Sequence, residues 1–237
     1  MVTACSPAVR GWMSGVCLLG VFAMNVPAYS ASISVTTRSG DTLSLPAPRQ
    51  NSDYSIERAL HERRSVREFG KTALTQDEVS QLLWAAQGIT SRDGLRTAPS
   101  AGALYPLELY LVVGMVRDLD PGVYKYAAAG HKLTKLSTGD QRHKFAAAAH
   151  GQDSVADAAA VLVFTAVERR TTRKYGSRGL RYIHIEVGHV SQNVFLEATA
   201  LGLGAVVVGA FEDDAVRELL QLPEGEAPLY LMPLGRP

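Results

Sequence analysis

The sequence predicts an α+β domain in which helices flank a mixed, mainly antiparallel β-sheet around one long central helix. Residues 107–113 and 158–167 are nearly continuous apolar runs with the length of buried strands. Residues 180–201 form the longest segment with helical periodicity and are expected to be the central helix. Because strand-like and helical segments are interspersed without strict alternation, a mixed sheet is favoured over a doubly wound one.

The first 31 residues have the layout of a secretory signal peptide. Arg10 precedes an apolar stretch at 11–26, and small residues that suit a processing protease follow at 27–31. The apolar stretch is shorter than the ~20 residues of a membrane-spanning helix. We therefore expect cleavage near the end of this segment, export to the periplasm, and no stable membrane insertion of the mature protein.

The cysteines and the charge balance exclude several classes of function. Cys5 and Cys17 both lie in the predicted signal peptide, so thiol catalysis, disulfides and cysteine-ligated metals are not expected in the mature chain. Removal of Arg10 takes one cation from 24 Lys and Arg residues, which then match the 23 Asp and Glu residues. A balanced charge argues against nucleic acid as a main partner.

Local signals place the remaining elements. Residues 32–54 are polar and are expected to form an arm ahead of a single domain at 55–237. Ser55 is expected to cap a first helix. Thr75 and Glu78 have the spacing of a capping box for a second helix. This helix is expected to end at Gly88. The remaining predicted elements are a hairpin at 123–126 and 133–136 about Gly130, a helix at 140–149, a cationic loop at 168–178, a strand at 205–208, a helix at 213–220 and a strand at 229–234.

An arginine cluster precedes the second helix. Arg63, Arg64 and Arg67 lie within five residues and surround Ser65. The planar guanidinium group binds phosphate oxygens in pairs, so this pattern suits an organic phosphate. A solvated basic surface is the alternative that these residues leave open.

Three other chemistries are disfavoured. His184, Glu186 and His189 cannot converge on a metal ion from one helix, since residues two and five apart point in different directions. Ser100 lacks the glycine frame of a hydrolase nucleophile. Gly202 ends a helix rather than opening one, so it is expected to be a helix C-cap and not part of a dinucleotide-binding loop.

Together with the loop 99–106 and the segment 202–211, the arginine cluster resembles the flavin-dependent nitroreductase superfamily, and more closely its SagB/ThcOx-type dehydrogenase branch. The resemblance covers residues 55–237. It implies a nitroreductase-like fold and a homodimer with FMN at the interface. By the resemblance, the FMN-binding residues would be Arg63, Arg64, Ser65, Arg67 and Arg236 around the phosphate and ribityl chain, Gly209 and Ala210 along the ring, and Pro99, Ser100, Ala101 and Ala103 from the partner subunit.

Lys174 and Tyr175 are the candidate catalytic residues. Neighbouring cations stabilise a phenolate, so this tyrosine could exchange protons, although a solvated basic loop is the alternative. The resemblance implies that the pair removes a proton during oxidation of azoline rings on peptides. The expected function is therefore an FMN-dependent oxidoreductase that transfers a hydride between flavin N5 and a small-molecule or peptide substrate. An exported, non-catalytic flavin-binding protein of the same fold is the alternative.

Overall fold

Seven strands form one sheet in the computed structural model, which describes residues 42–237. The predicted signal peptide and the first part of the predicted arm lie outside the described residues. The sheet has the order β1-β4-β3-β2-β5-β7-β6, and all neighbouring strands are antiparallel. The strands are β1 (Thr42–Ser44), β2 (Leu107–Val113), β3 (Gly122–Ala127), β4 (Lys132–Thr138), β5 (Ala160–Val167), β6 (Gly204–Ala205) and β7 (Glu226–Gly235).

Helices cover both faces of this sheet, which confirms the predicted α+β class. The longest helix, α6, packs against α2 and is the predicted central helix. Ser55 and the Thr75–Glu78 capping box act as predicted, and α2 ends at Gly88. The helices are α1 (Ile56–Glu62), α2 (Gln76–Gln87), α3 (Arg142–Ala148), α4 (Asp153–Asp157), α5 (Arg169–Tyr175), α6 (Arg178–Ala200) and α7 (Asp213–Leu220), with a short 3₁₀ turn at Ala101–Ala103.

The central strands β2 and β5 are buried on both faces. Alternate residues of a strand point to opposite sides, so Leu109 and Leu111 join the core beneath α2 and α6, while Tyr110 and Val112 join the core beneath α3 and α7. Burial on both faces explains the nearly continuous apolar runs in the sequence.

The pairing of β2 with β5 positions the candidate site. Leu107 at the start of β2 lies opposite Ala166 near the end of β5. The N–H of Val167 also donates a hydrogen bond to the carbonyl of Pro106 at 2.9 Å. The loop that precedes β2 is therefore adjacent to the helix that follows β5.

Residues 168–178, predicted to be a cationic loop, contain the helix α5. The prediction was wrong because a run of charges does not distinguish a loop from the exposed side of a short helix. Arg and Lys are good helix formers. Thr171 is the residue of α5 that faces the interior and is buried. The helix ends at Gly176, which adopts a φ of +56°.

Three smaller differences concern short elements. The predicted strand at 205–208 is reduced to β6, followed by a single bridge from Val208 to Leu231. Helix α4 was not predicted. The described end of the predicted arm contains β1, whose pairing with β4 completes one edge of the sheet. Among residues 42–237, no helix is both long enough and apolar enough to cross a membrane.

Candidate functional site

The side chains of Lys174 and Tyr175 converge on Gly102. A Cβ atom placed on Gly102 would lie 2.8 Å from Tyr175 Oη and 2.9 Å from Lys174 Nζ. Gly102 also has a φ of +64°, in the left-handed region that favours glycine. Two residues predicted to be catalytic are thus in contact with the predicted flavin-binding loop, some 70 positions earlier in the chain.

Aromatic and cationic contacts restrain this pair. The rings of Tyr175 and Tyr182 meet edge to face, with centroids 5.1 Å apart. Lys174 Nζ lies 5.3 Å from the centroid of the Tyr175 ring, within the range of a cation–π contact. Both side chains come from the last turn of α5, so the helix sets their direction.

Arg170 joins α5 to the loop and to the sheet. Its guanidinium forms an ion pair with Glu108 of β2 at 2.5 Å and donates to the carbonyl oxygen of Tyr105 at 3.1 Å. Glu108 in turn pairs with Lys125 at 3.1 Å. This network, which was not predicted from the sequence, fixes the helix carrying Lys174 relative to the loop.

Ser100 is bound to a buried carboxylate. Its Oγ donates to Glu186 Oε2 at 2.5 Å and accepts the N–H of Tyr105 at 2.9 Å. Glu186 is 3% exposed. Burial raises the pKa of Glu186 to about 7, against the opposing effects of the Ser100 hydrogen bond and the Arg96 guanidinium. This carboxyl therefore titrates near neutral pH.

Glu186 was considered from the sequence only as a member of a disfavoured metal set, and its bond to the loop was not predicted. A signal was present, because Glu186 falls on the apolar stripe of α6 that includes Ile183, Val187 and Val190. A carboxylate on a core-facing stripe requires a buried partner. His184 and His189 are exposed, so the three side chains do not share a face.

The arginine cluster lies beside β6. Ser65 pairs with Ala205, and the Val66 N–H donates to the Ala205 carbonyl at 2.8 Å. The Arg63 guanidinium lies 5.3 Å from the Phe195 ring centroid. Arg64 donates to the carbonyls of His61 and Arg63, while Arg67 is exposed.

The cluster has the donors that a phosphate group requires. Within residues 42–237, none of Arg63, Arg64 and Arg67 forms an ion pair with a carboxylate. Among the residues that the structure describes, these three guanidinium groups therefore have no ion-pair partner. Arginine without an acidic partner, held beside an extended backbone, suits a phosphate ester such as that of FMN.

Arg236 is less available than the cluster. Its side chain pairs with Glu78 at 2.6 Å, and Glu78 also caps α2. The backbone carbonyl of Arg236 accepts a hydrogen bond of 2.8 Å from the N–H of Gly70, which is three residues beyond Arg67. Arg236 therefore lies at the same end of β7 as the arginine cluster, with its charge shared with a carboxylate.

Gly209 lines a cavity of about 440 Å³. A Cβ atom on Gly209 would lie 3.2 Å from the Tyr230 ring, so a larger residue would crowd the wall. Glu168, which precedes α5, and His184 of α6 line the same cavity. The adjacent Ala210 is exposed, and its carbonyl accepts a hydrogen bond from Gln152 at 3.2 Å.

Most of the predicted site residues thus fall into two groups. One comprises Lys174 and Tyr175 with the loop at 99–103, which contains Ser100, Ala101 and Ala103. Pro99, at the start of this loop, is exposed. The other comprises the arginine cluster and Arg236. Gly209 and Ala210 belong to neither group, since the cavity that Gly209 lines is next to the start of α5 and the start of β7. In the described part of the chain, no hydrogen bond or ion pair joins the loop 99–103 to residues 63–67.

Comparisons with known proteins agree with this architecture. A sequence profile described as the nitroreductase family matches residues 60–236. A protein of Methanocaldococcus jannaschii assigned to the nitroreductases is 48% identical over 197 residues, which are 83% of this chain and 98% of that protein. A crystal structure of a protein from Ralstonia eutropha, also assigned to the nitroreductases, has a TM-score of 0.74 and 30% identity, over 83% of this chain and 89% of that one.

Other similar proteins are matched over smaller shares of their length. A structure from Anabaena variabilis has a TM-score of 0.74 and 33% identity over 83% of this chain, but only 41% of that chain is covered. A 55-residue segment is 44% identical to the NADPH-flavin oxidoreductase of Vibrio harveyi and covers 22% of this chain and 23% of that protein. The microcin B17-processing protein of Escherichia coli is 27% identical over 146 residues, 59% of this chain and 54% of that protein.

Proposed function

The chain belongs to the nitroreductase family, and we propose that it is an FMN-dependent oxidoreductase that transfers a hydride between flavin N5 and a small-molecule or peptide substrate. The convergence of Lys174 Nζ and Tyr175 Oη above Gly102 carries this proposal. Because Gly102 has no side chain, an amine and a phenol that can exchange a proton pack directly against the predicted flavin-binding loop. When bound, FMN supplies the hydride-transfer chemistry.

The roles of the chain's own residues follow from their positions. Lys174 and Tyr175 hold and move the substrate proton at Nζ and Oη, since dehydrogenation removes a proton as well as a hydride. Arg63, Ser65 and Arg67 hold the phosphate and ribityl chain. Gly209 gives the flat ring access to the cavity wall. Arg64 and Arg236 contribute charge at the phosphate end, and Pro99, Ser100, Ala101, Ala103 and Ala210 contact the cofactor through small side chains and backbone.

The site is composed of residues from two copies of the chain. Ser100 contacts α6 at Glu186, whereas Arg63 contacts it at Phe195. Glu186 and Phe195 are nine positions apart on the helix, about 13 Å along its axis. We propose that the loop 99–103 reaches the FMN of a partner subunit in a homodimer, together with Lys174 and Tyr175, which contact that loop.

A complementation experiment tests the composite site. Arg63→Ala and Tyr175→Phe chains are mixed and allowed to exchange subunits, at an FMN concentration low enough that each variant alone has little activity. A site shared between subunits gives hybrid dimers with one intact site, so activity recovers to about a quarter of wild type. Absence of recovery, with hybrids demonstrated by native mass spectrometry, would show that each chain completes its own site.

Flavin binding is measured first, because the other steps depend on it. The visible absorption spectrum is recorded before and after FMN is added, and any released chromophore is identified. Arg63→Ala and Arg67→Ala should each weaken FMN binding about tenfold or more, since each removes a hydrogen bond to a charged group. Arg92, an exposed arginine outside the site, gives the matched control Arg92→Ala. Undiminished affinity in both cluster variants would refute the phosphate assignment.

The Tyr175→Phe variant separates catalysis from binding. It should bind FMN like the wild type but oxidise substrate about a hundredfold more slowly, the usual contribution of a proton-transfer group. Equal rates in the two proteins would remove Tyr175 from the mechanism. Photoreduced flavin that responds only to dissolved oxygen, and to no organic donor or acceptor, would favour the non-catalytic flavin-binding alternative.

The branch and the location are further parts of the proposal. Similarity to a microcin-processing protein and the Lys174–Tyr175 pair support membership of the SagB/ThcOx-type branch, with azoline-containing peptides as test substrates. Conversion of azoline to azole lowers the peptide mass by two hydrogens, which mass spectrometry detects. Export is tested by cell fractionation and N-terminal sequencing, with a mature end near residue 31 as the expected result.

A further inference from the structure

Glu186 has a buried carboxyl group that the proposed reaction does not use directly. One oxygen accepts the Ser100 hydroxyl at 2.5 Å. The other, Oε1, is buried without a hydrogen-bond partner among the described residues. A buried carboxyl costs free energy unless its interactions repay it. Glu186 contacts the loop that carries Gly102, so its contribution is expected to be to the conformation of that loop.

The loop next to Glu186 has an unfavourable backbone. Gly102, Ala103 and Tyr105 have φ values of +64°, +53° and +45°. Left-handed backbone is disfavoured for residues with a Cβ atom, so this conformation requires support. A hydrogen-bonded chain supplies it, in which the Tyr105 N–H donates to Ser100 Oγ and the Ser100 hydroxyl donates to Glu186.

Other charged groups surround this chain. The Arg96 guanidinium lies 4.5 Å from the centroid of the Tyr105 ring and interacts with the Glu186 carboxylate. Arg170 of α5 binds the Tyr105 carbonyl, with Glu108 of β2 as its ion-pair partner. Lys174 contacts the loop at Gly102. Cationic side chains therefore contact the loop at several points, and the Glu186 carboxyl group contacts it at Ser100.

We propose that Glu186 is a positioning residue: through Ser100 it holds the left-handed loop at 100–105, and so keeps Gly102 in contact with Lys174 and Tyr175. The effect on turnover rests on the proposed function, whereas the effect on the loop does not depend on any cofactor. Burial raises the pKa of Glu186 to about 7, so its charge, and its strength as an acceptor, change around neutral pH.

Hydrogen–deuterium exchange measures the hold on the loop directly. The probe is the Tyr105 amide in peptides that span 100–106 of the purified full chain. Glu186→Ala should speed its exchange about tenfold to a hundredfold, the effect of losing a hydrogen bond to a charged group. Glu186→Gln, which can still accept from Ser100, should remain close to wild type.

The matched control is Glu197→Ala. Glu197 lies on the same helix, and burial raises its pKa as well, but its partner is Gln81 rather than the loop. Exchange at Tyr105 should not change in this variant. If Glu186→Ala does not fold, Glu186→Leu fills more of the space, cannot accept from Ser100, and should give the same acceleration. Unchanged exchange at Tyr105 in the folded Glu186→Ala or Glu186→Leu variant overturns the proposal.

Kinetics give the second readout. In the wild type, kcat should change with an inflection near pH 7, and Glu186→Gln should abolish that inflection while KM changes less than twofold. An inflection that persists in Glu186→Gln overturns the link to turnover. A protein that binds no flavin refutes the proposed function, yet faster Tyr105 exchange in Glu186→Ala would still support the positioning role.

Discussion

Substitution of Gly102 by alanine tests the contact on which the proposed mechanism depends. The new Cβ would lie 2.8 Å from Tyr175 Oη and 2.9 Å from Lys174 Nζ, whereas ordinary contacts begin at 3.4 Å. Each atom must therefore move by about 0.5 Å, which long side chains can do without unfolding the domain. A φ of +64° adds about 1–2 kcal/mol of backbone strain for alanine.

These two effects have different expected sizes. The backbone strain should lower the melting temperature by about 2–8 °C for a domain of this length. Displacement of the proton-transfer atoms should lower kcat about tenfold, because a misplacement of 1 Å can cost a hundredfold. Differential scanning calorimetry measures the first effect, and steady-state kinetics of the substrate oxidation used for Tyr175→Phe measures the second.

Gly139→Ala separates strain from displacement. Gly139 has a φ of +82°, and a Cβ at this position would have no neighbour within 4 Å. The control should therefore lose similar stability but retain wild-type kcat. If Gly102→Ala and Gly139→Ala have the same kcat, the contact of Gly102 with Lys174 and Tyr175 has no role in turnover and the mechanism is refuted.

Two further predictions concern stability. Burial raises the pKa of Glu186 in the folded protein to about 7 from its ordinary value of 4.5, so its stabilising contribution is complete below about pH 4.5 and is lost as the pH rises through 7. Relative to Glu186→Gln, the wild type should lose up to about 3 kcal/mol between about pH 4.5 and pH 8; parallel urea-unfolding profiles of the two proteins would contradict this. Thr75→Ala removes the acceptor of the Glu78 N–H at 3.2 Å and should lower the free energy of unfolding by about 1 kcal/mol without weakening FMN binding. The control is Thr138→Ala, at an exposed position. A loss of stability no larger than in this control would exclude a stabilising cap.

Much of the fold was predictable because its signals are local. The apolar runs around Leu111 and Leu162 mark strands buried on both faces, and that pattern requires only composition and length. The capping box of Thr75 and Glu78 spans four residues, so its hydrogen bonds form within the segment that encodes them. The central helix was predicted from periodicity, and it begins two residues before the predicted start.

The site was predictable only in part, because its contacts are not local. Lys174 and Tyr175 were identified from residue type and family resemblance, but they were assigned to a loop, which would not have fixed their direction. The pairing of Ser100 with Glu186 joins residues 86 positions apart. A buried carboxylate on an apolar stripe indicates that it has a hydrogen-bond partner. It does not indicate which polar residue of the folded chain that partner is.

The register of the sheet determines which loops and helices lie at the same end of the sheet, and this could not be predicted from the sequence. Leu107 lies opposite Ala166, and Ala166 lies opposite Ala227, so the loop before β2, the start of α5 and the start of β7 share one end of the sheet. Residue 204 pairs with Gly235 at the far end of β7, next to the arginine cluster. The loop that contacts Lys174 and Tyr175 and the arginine cluster therefore lie near opposite ends of β7. In the homodimer that we propose, each copy would present one of these ends to the other, and the mixed Arg63→Ala and Tyr175→Phe dimer tests this arrangement.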